Sequence, residues 1–122
     1  MTLDEKITLN GFRLTAPRKK ILSIFAQQKQ PISFDEYTAI DPAIDKSTFY
    51  RTMQTFEQAN IINGIESDEG KRYFELSESV HPHFICQHCH SITCLNSQPI
   101  VSPQGYQIDS VIFKGRCPRC SE

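Results

Sequence analysis

No stretch of this 122-residue chain is apolar for long enough to cross a bilayer, so a membrane helix is excluded. The opening Met1-Thr-Leu-Asp-Glu-Lys6 lacks the basic and apolar regions of a signal peptide, and the expected location is the cytoplasm. There are no internal repeats and no low-complexity tracts. No Ser/His/Asp set or paired-carboxylate arrangement suits hydrolysis, so an enzyme is not expected. A net charge of −1 gives no global attraction to nucleic acid. One segment does lack charge of one sign. From Arg13 to Lys29 there are five basic residues, Arg13, Arg18, Lys19, Lys20 and Lys29, and no acidic one. Taken alone, such a cluster reads as a solvated helix face; contact with phosphates is the other reading.

With 39% hydrophobic and 22% charged residues, the composition is that of a globular protein. Residues 3 to 10 are expected to form a short helix with Leu3, Ile7 and Leu9 inward, ended by Gly11. Thr15 reads as an N-cap with Pro17 in the first turn of a helix reaching about Gln28, its stripe being Ile21, Leu22, Ile24 and Phe25. Ser33-Phe-Asp-Glu36 is a capping box opening a short helix that stops before Pro42. Asp45 or Ser47 caps a fourth helix to about Asn60, apolar at Phe49, Met53 and Phe56. Its opposite side carries Ser47, Tyr50, Arg51, Gln54 and Gln58, groups that hydrogen-bond to bases or phosphates.

Two strand-like runs, Ile61 to Glu66 and Lys71 to Leu76, flank the turn Ser67-Asp-Glu-Gly70. Helices followed by a two-stranded ribbon are the order of a winged helix, with the fourth helix in the recognition position. The polar Ser77-Glu-Ser79 marks the boundary. The expected fold is α+β: a winged helix-turn-helix DNA-binding domain at 1–78 and a small zinc-stabilised α/β or mostly β domain at 79–122. Phe84-Ile85, Ser91 to Leu95 and Gln107 to Phe113 are strand-like, and about 40 residues need a metal or a partner chain to fold.

The metal is signalled by cysteine. Cys86-Gln-His-Cys89 and Cys117-Pro-Arg-Cys120 are two knuckles separated by 27 residues. Together they offer four thiolates to one tetrahedral ion, the arrangement of structural zinc. Free buried thiols or a redox pair are the alternatives, but a redox Cys-x-x-Cys belongs in a βαβ unit and none is legible here. A second cluster precedes the first knuckle. His81 and His83, at i and i+2 on a strand, point the same way and can share an ion with Glu75. Cys94, the fifth cysteine, is either another donor or a small buried hydrophobe.

The ordered set of motifs resembles the ferric uptake regulator (Fur) family of metal-responsive repressors. The matching pieces are Gly11-Phe-Arg-Leu-Thr-Ala-Pro-Arg18 with Ile21-Leu22, Ser47-Thr-Phe-Tyr-Arg51, Arg72-Tyr-Phe-Glu-Leu76, His81-Pro-His83, both knuckles and Gly115. The resemblance implies a homodimer bound to a palindromic operator in double-stranded DNA. It places Tyr50 and Arg51 in the major groove, Arg13 near the minor groove and Arg18 at phosphates. Lys19, Ser47, Thr48 and Gln54 complete the expected DNA-contacting set. It makes Cys86, Cys89, Cys117 and Cys120 the structural zinc ligands and Glu75, His81 and His83 three sensing ligands.

The chain departs from the family in places. Pro31 stands where a sensing histidine is usual, Pro82 replaces an accessory ligand, and Asp109 matches an accessory ligand with few companions. His90 follows Cys89 where Gly is usual, and Cys94 replaces an acidic ligand. The segment Asn96 to Gly105, with Pro99 and Pro103, reads as loop instead of helix, so a smaller dimer interface is expected. A sensing set of Glu75, His81, His83 and Cys94 favours tetrahedral Zn(II) over Fe(II) or Mn(II). His88 and His90 are alternative donors, or exposed. Two other functions fit parts of the chain: a zinc-ribbon adaptor for protein or RNA, and a thiol-based redox or peroxide sensor using Cys94.

Overall fold

The structure is a computed structural model that describes residues 7, 11, 13–77, 81–95 and 101–121. The helix expected over 3–10, with Leu3 and Leu9, lies outside the described residues except for Ile7, which is helical. The Ser77–Ser79 boundary lies outside them apart from Ser77, and so does 96–100 of the expected loop; residues 101–105 form neither helix nor strand. The chain groups into two compact units, Met1–Ile65 with Arg72–Ser77, and Glu66–Lys71 with Glu78–Glu122.

In the first unit, α1 (Ala16–Ala26) starts where the Thr15 hydroxyl accepts from the Arg18 N–H at 3.4 Å, with Pro17 in the first turn. Its Ile21, Leu22 and Phe25 are buried. It stops two residues before the expected end, because the Gln27 and Gln28 N–H groups bond to the Ile24 and Phe25 carbonyls and tighten the last turn. Helix α2 (Phe34–Ile40) opens with the reciprocal capping box of Ser33 and Glu36. Helix α3 (Lys46–Gln58) is capped by Asp45, whose carboxylate accepts from the Thr48 N–H at 3.2 Å. Hydrogen bonding from the Thr48 side chain first, and then from its N–H, holds Asp45 below its ordinary carboxylate value. After α3, Asn60 turns left-handed at φ 59, and the Ile61 N–H reaches the Phe56 carbonyl at 2.9 Å. This Schellman closure ends the helix before Asn60, short of the expected limit.

The core is aromatic. Phe49, at 0% exposure, has ring centroids 5.1 Å from Phe34, 5.1 Å from Tyr37 and 5.7 Å from Phe74. Phe25 stacks on Tyr37 at 5.7 Å. Each such buried ring contributes about 1.5–3 kcal/mol by leaving water. The Tyr37 hydroxyl donates to Asp41 at 3.1 Å, and burial with that partner raises its pKa above the ordinary phenol value. A sheet in the order β1-β3-β2 closes the unit, from β1 (Ile32–Ser33), β2 (Ile62–Glu66) and β3 (Arg72–Leu76). Strand β1 was not expected. It is two residues long, and only its pairing of Ile32 with Phe74 and Ser33 with Tyr73 makes it a strand.

The second unit holds a sheet in the order β5-β4-β6, from β4 (Pro82–Cys86), β5 (Ile92–Cys94) and β6 (Val111–Gly115). Strand β5 runs antiparallel to β4 and β6 parallel to it. Strand β6 starts at Val111, four residues after the expected Gln107, because pairing with Pro82 begins there. Among the described residues of this unit, the buried apolar ones are Pro82, Ile85, Cys86 and Ile92. The turn Glu66–Lys71 also belongs to this unit; Gly70 has φ 79, and Asp68 accepts from Lys114 at 2.7 Å.

Candidate metal centres and nucleic-acid interface

Strand β4 carries Cys86 at its end, and the turn after it brings Cys89 back, closed by the His90 N–H to the Cys86 carbonyl at 2.8 Å. The turn needs a left-handed residue, which His90 supplies at φ 64. A glycine would adopt this conformation at lower cost. The parallel pairing of β6 with β4 places Gly115 beside Cys86, and the Gln87 N–H bonds to the Gly115 carbonyl at 2.7 Å. The second knuckle, Cys117 to Cys120, follows directly. All four expected sulfurs are thus assembled, each within 4.8 Å of the others.

The electrostatics of this shell call for a cation. The N–H groups of Cys89 and Cys117 both point at the Cys86 sulfur, at 3.4 Å each. They stabilise its thiolate and lower its pKa to about 5. The Ser91 hydroxyl, 3.2 Å from the Cys89 sulfur, lowers the pKa of that thiol as well. Cys120 moves the opposite way, to about 12, because its neighbour Cys117 and desolvation favour the protonated form. Four crowded sulfurs cannot all ionise alone; a divalent cation removes that conflict, and soft thiolates with tetrahedral geometry fit zinc. The N–H groups and Ser91 were not singled out in the sequence, because they act through turn geometry.

A second cluster forms within the same unit. His83 is the cross-strand partner of Cys94, and the His81 and His83 rings lie 4.5 Å apart. The donor atoms of His81, His83 and Cys94 fall within 4.8 Å of one another. Cys94 is therefore grouped with two imidazoles, a placement its spacing alone left open. Glu75 lies in β3 of the first unit. The other candidates are placed elsewhere. Pro31 and Pro82 are buried, and His88 is exposed. His90 pairs through Nε2 with Glu69 at 3.0 Å, and the exposed Asp109 accepts from Gln107 at 3.2 Å.

On α3, Ser47, Thr48, Arg51 and Gln54 are exposed on one side while Phe49, Met53 and Phe56 are buried on the other. Tyr50 is half-buried, its ring 5.3 Å from Phe49 and 5.8 Å from Phe34. Arg13 and Lys19 are exposed, and the Arg18 guanidinium donates to the Arg13 carbonyl at 2.8 Å, fixing the chain ahead of α1. Lys20 instead pairs with the buried Asp41 at 3.3 Å.

Comparison with known proteins agrees with this geometry. The Ferric uptake regulator family profile matches residues 9–114. The ferric uptake regulation protein of Bordetella parapertussis is 31% identical over 127 residues, covering 92% of this chain and 91% of that one. Among solved structures, the Francisella tularensis ferric uptake regulator with iron superposes with a TM-score of 0.69 at 29% identity, covering 92% of this chain and 96% of that one. The Helicobacter pylori regulator, at 22% identity, shares the fold with a TM-score of 0.72, covering 98% of this chain and 89% of that one. The chain belongs to the Ferric uptake regulator family, metal-responsive transcription regulators and not enzymes.

Proposed function

We propose that this protein is a zinc-responsive repressor acting in the cytoplasm. It binds a palindromic operator as a homodimer, with a structural zinc on Cys86, Cys89, Cys117 and Cys120. The observation that carries the zinc reading is the grouping of His81, His83 and Cys94 donor atoms within 4.8 Å. Glu75 is assigned as the fourth sensing ligand. Two nitrogens, one sulfur and one oxygen suit tetrahedral zinc, whereas iron(II) and manganese(II) favour more oxygen-rich, higher-coordinate sites. The Francisella regulator was solved with iron; the thiolate of Cys94 is the reason for assigning zinc here.

The sensing ion couples metal to DNA by favouring the conformer whose two recognition helices meet successive major grooves. The coupling can be no larger than the metal's differential affinity for the two conformers. Arg51 and Gln54 are assigned to base edges, with Tyr50 presenting only the part of its ring left outside the aromatic core. Ser47, Thr48, Arg13, Arg18 and Lys19 are assigned to the backbone and the minor groove. Support for pairing of two copies comes from β6, an edge strand with Ile112 and Phe113 exposed at 43% and 46%.

The test is selection of duplexes from a random pool, then titration with and without zinc over a salt series. Zinc-dependent preference for a palindrome, with a steep loss of affinity as salt rises, supports the reading. Binding that ignores zinc in both wild type and Glu75→Ala contradicts the sensing role.

A further inference from the structure

Helix α3 carries a single carboxylate, Glu57, in a segment otherwise suited to a polyanion. That carboxylate is engaged by Arg72 of β3, Nη2 to Oε2 at 3.0 Å, fifteen residues away in sequence. The guanidinium lies over the Phe74 ring, 5.1 Å from its centroid, and Phe74 belongs to the buried core. The pair occupies space that exists because residue 64 has no side chain. A Cβ on Gly64 of β2 would collide with the Arg72 guanidinium and come within 2.9 Å of Glu57 Oε2. Gly64 has no positive φ, so the backbone itself does not require glycine there. One helix and two strands of the ribbon thus contribute to one buttressed ion pair, all within the first unit.

The geometry points to a positioning clamp: Glu57 and Arg72, seated above Gly64 and Phe74, hold the β2–β3 ribbon in register with α3. They also cancel the helix's one negative charge, so discrimination between DNA sequences depends on residues that need not touch DNA. The inference rests on the DNA-binding reading above and adds to it a device for specificity. An uncovered carboxylate on α3 repels every phosphate alike and lowers affinity for all duplexes. A ribbon shifted against the helix misplaces base contacts and lowers only the preference for the correct sequence.

The experiment uses the zinc-loaded full chain as wild type, Glu57→Gln, Arg72→Gln and Gly64→Ala. The probes are a duplex selected by the wild type from a random pool and a random-sequence duplex of equal length. Folding is followed by helical circular dichroism at the assay temperature. Each variant is expected to lower the selected-to-random affinity ratio by about threefold to fivefold, the scale of a partly exposed pair. Arg72→Gln also weakens the random duplex, because Glu57 is left uncovered, while Glu57→Gln does not. Gly64→Ala leaves every charge in place and displaces only the pair, so it reports position alone. A Gly64→Ala ratio within about twofold of wild type, or a ratio lost only together with the folded signal, overturns the clamp. A wild type without preference for its selected duplex overturns the DNA-binding reading and the clamp together. A discriminating wild type with equally discriminating variants overturns the clamp alone.

Discussion

The two units reach a fixed structure by different means. The first unit packs Phe25, Tyr37, Phe49, Phe56 and Phe74 into one aromatic core around three capped helices. Among the described residues, the second buries Pro82, Ile85, Cys86 and Ile92 of its three-stranded sheet, and has a group of four sulfurs that includes Cys86. A segment this short cannot bury enough apolar surface to offset its conformational entropy, and in the proposed reading metal ligation takes the place of a core. On the function proposed above, the difference also divides the labour: the apolar core fixes the helix assigned to DNA, and the polar unit holds the groups assigned to ions.

The contrast breaks most severely if zinc is removed. Structural zinc in small domains carries about 10–16 kcal/mol of apparent binding free energy, which is folding free energy. Chelation or Cys117→Ser is expected to abolish amide-exchange protection in β4, β5 and β6 while the helices of the first unit keep theirs. Protection of β4 to β6 persisting in protein shown to be zinc-free contradicts this. Phe49→Ala attacks the other side of the comparison. It leaves a cavity at the centre of the ring cluster and should cost about 3–5 kcal/mol, read as a lower midpoint for loss of helical signal, with the zinc content unchanged. Arg51→Ala should cost about 1–3 kcal/mol on the selected duplex and little on random DNA; an equal loss on both makes it a phosphate contact. The smallest effect is Ser33→Ala, which removes half of the capping box and should cost about 1 kcal/mol of thermal stability without altering metal uptake.

Most of the first unit was legible in the sequence because its signals are local. Thr15, Ser33 and Asp45 cap helices within three residues of themselves, and Phe49, Met53 and Phe56 repeat at helical spacing. Strand β1 was not legible, since Ile32 and Ser33 become a strand only through Phe74 and Tyr73. Tyr50 shows the same limit: helical spacing gives its angle on α3, not the rings of Phe34 and Phe74 that cover it. In the second unit the sulfur shell was visible from the spacing of the cysteines. The place of Cys94 beside the histidines came from the family resemblance, while its spacing alone left it open, because the β4–β5 register that sets it beside His83 is a tertiary fact. The shifted start of β6 has a similar origin, in its pairing with Pro82 to Cys86.

Counting metal decides whether the protein binds a structural zinc at the four cysteines and a separate sensing ion at His81, His83 and Cys94. Elemental mass spectrometry is applied to protein dialysed and then offered zinc, iron(II) and manganese(II), for wild type beside Cys94→Ala. Wild type is expected to hold about two zinc ions per chain, falling to about one in the variant, with zinc taken in preference to the other ions. A single zinc in both proteins, with no second metal acquired, contradicts a sensing site at His81, His83 and Cys94.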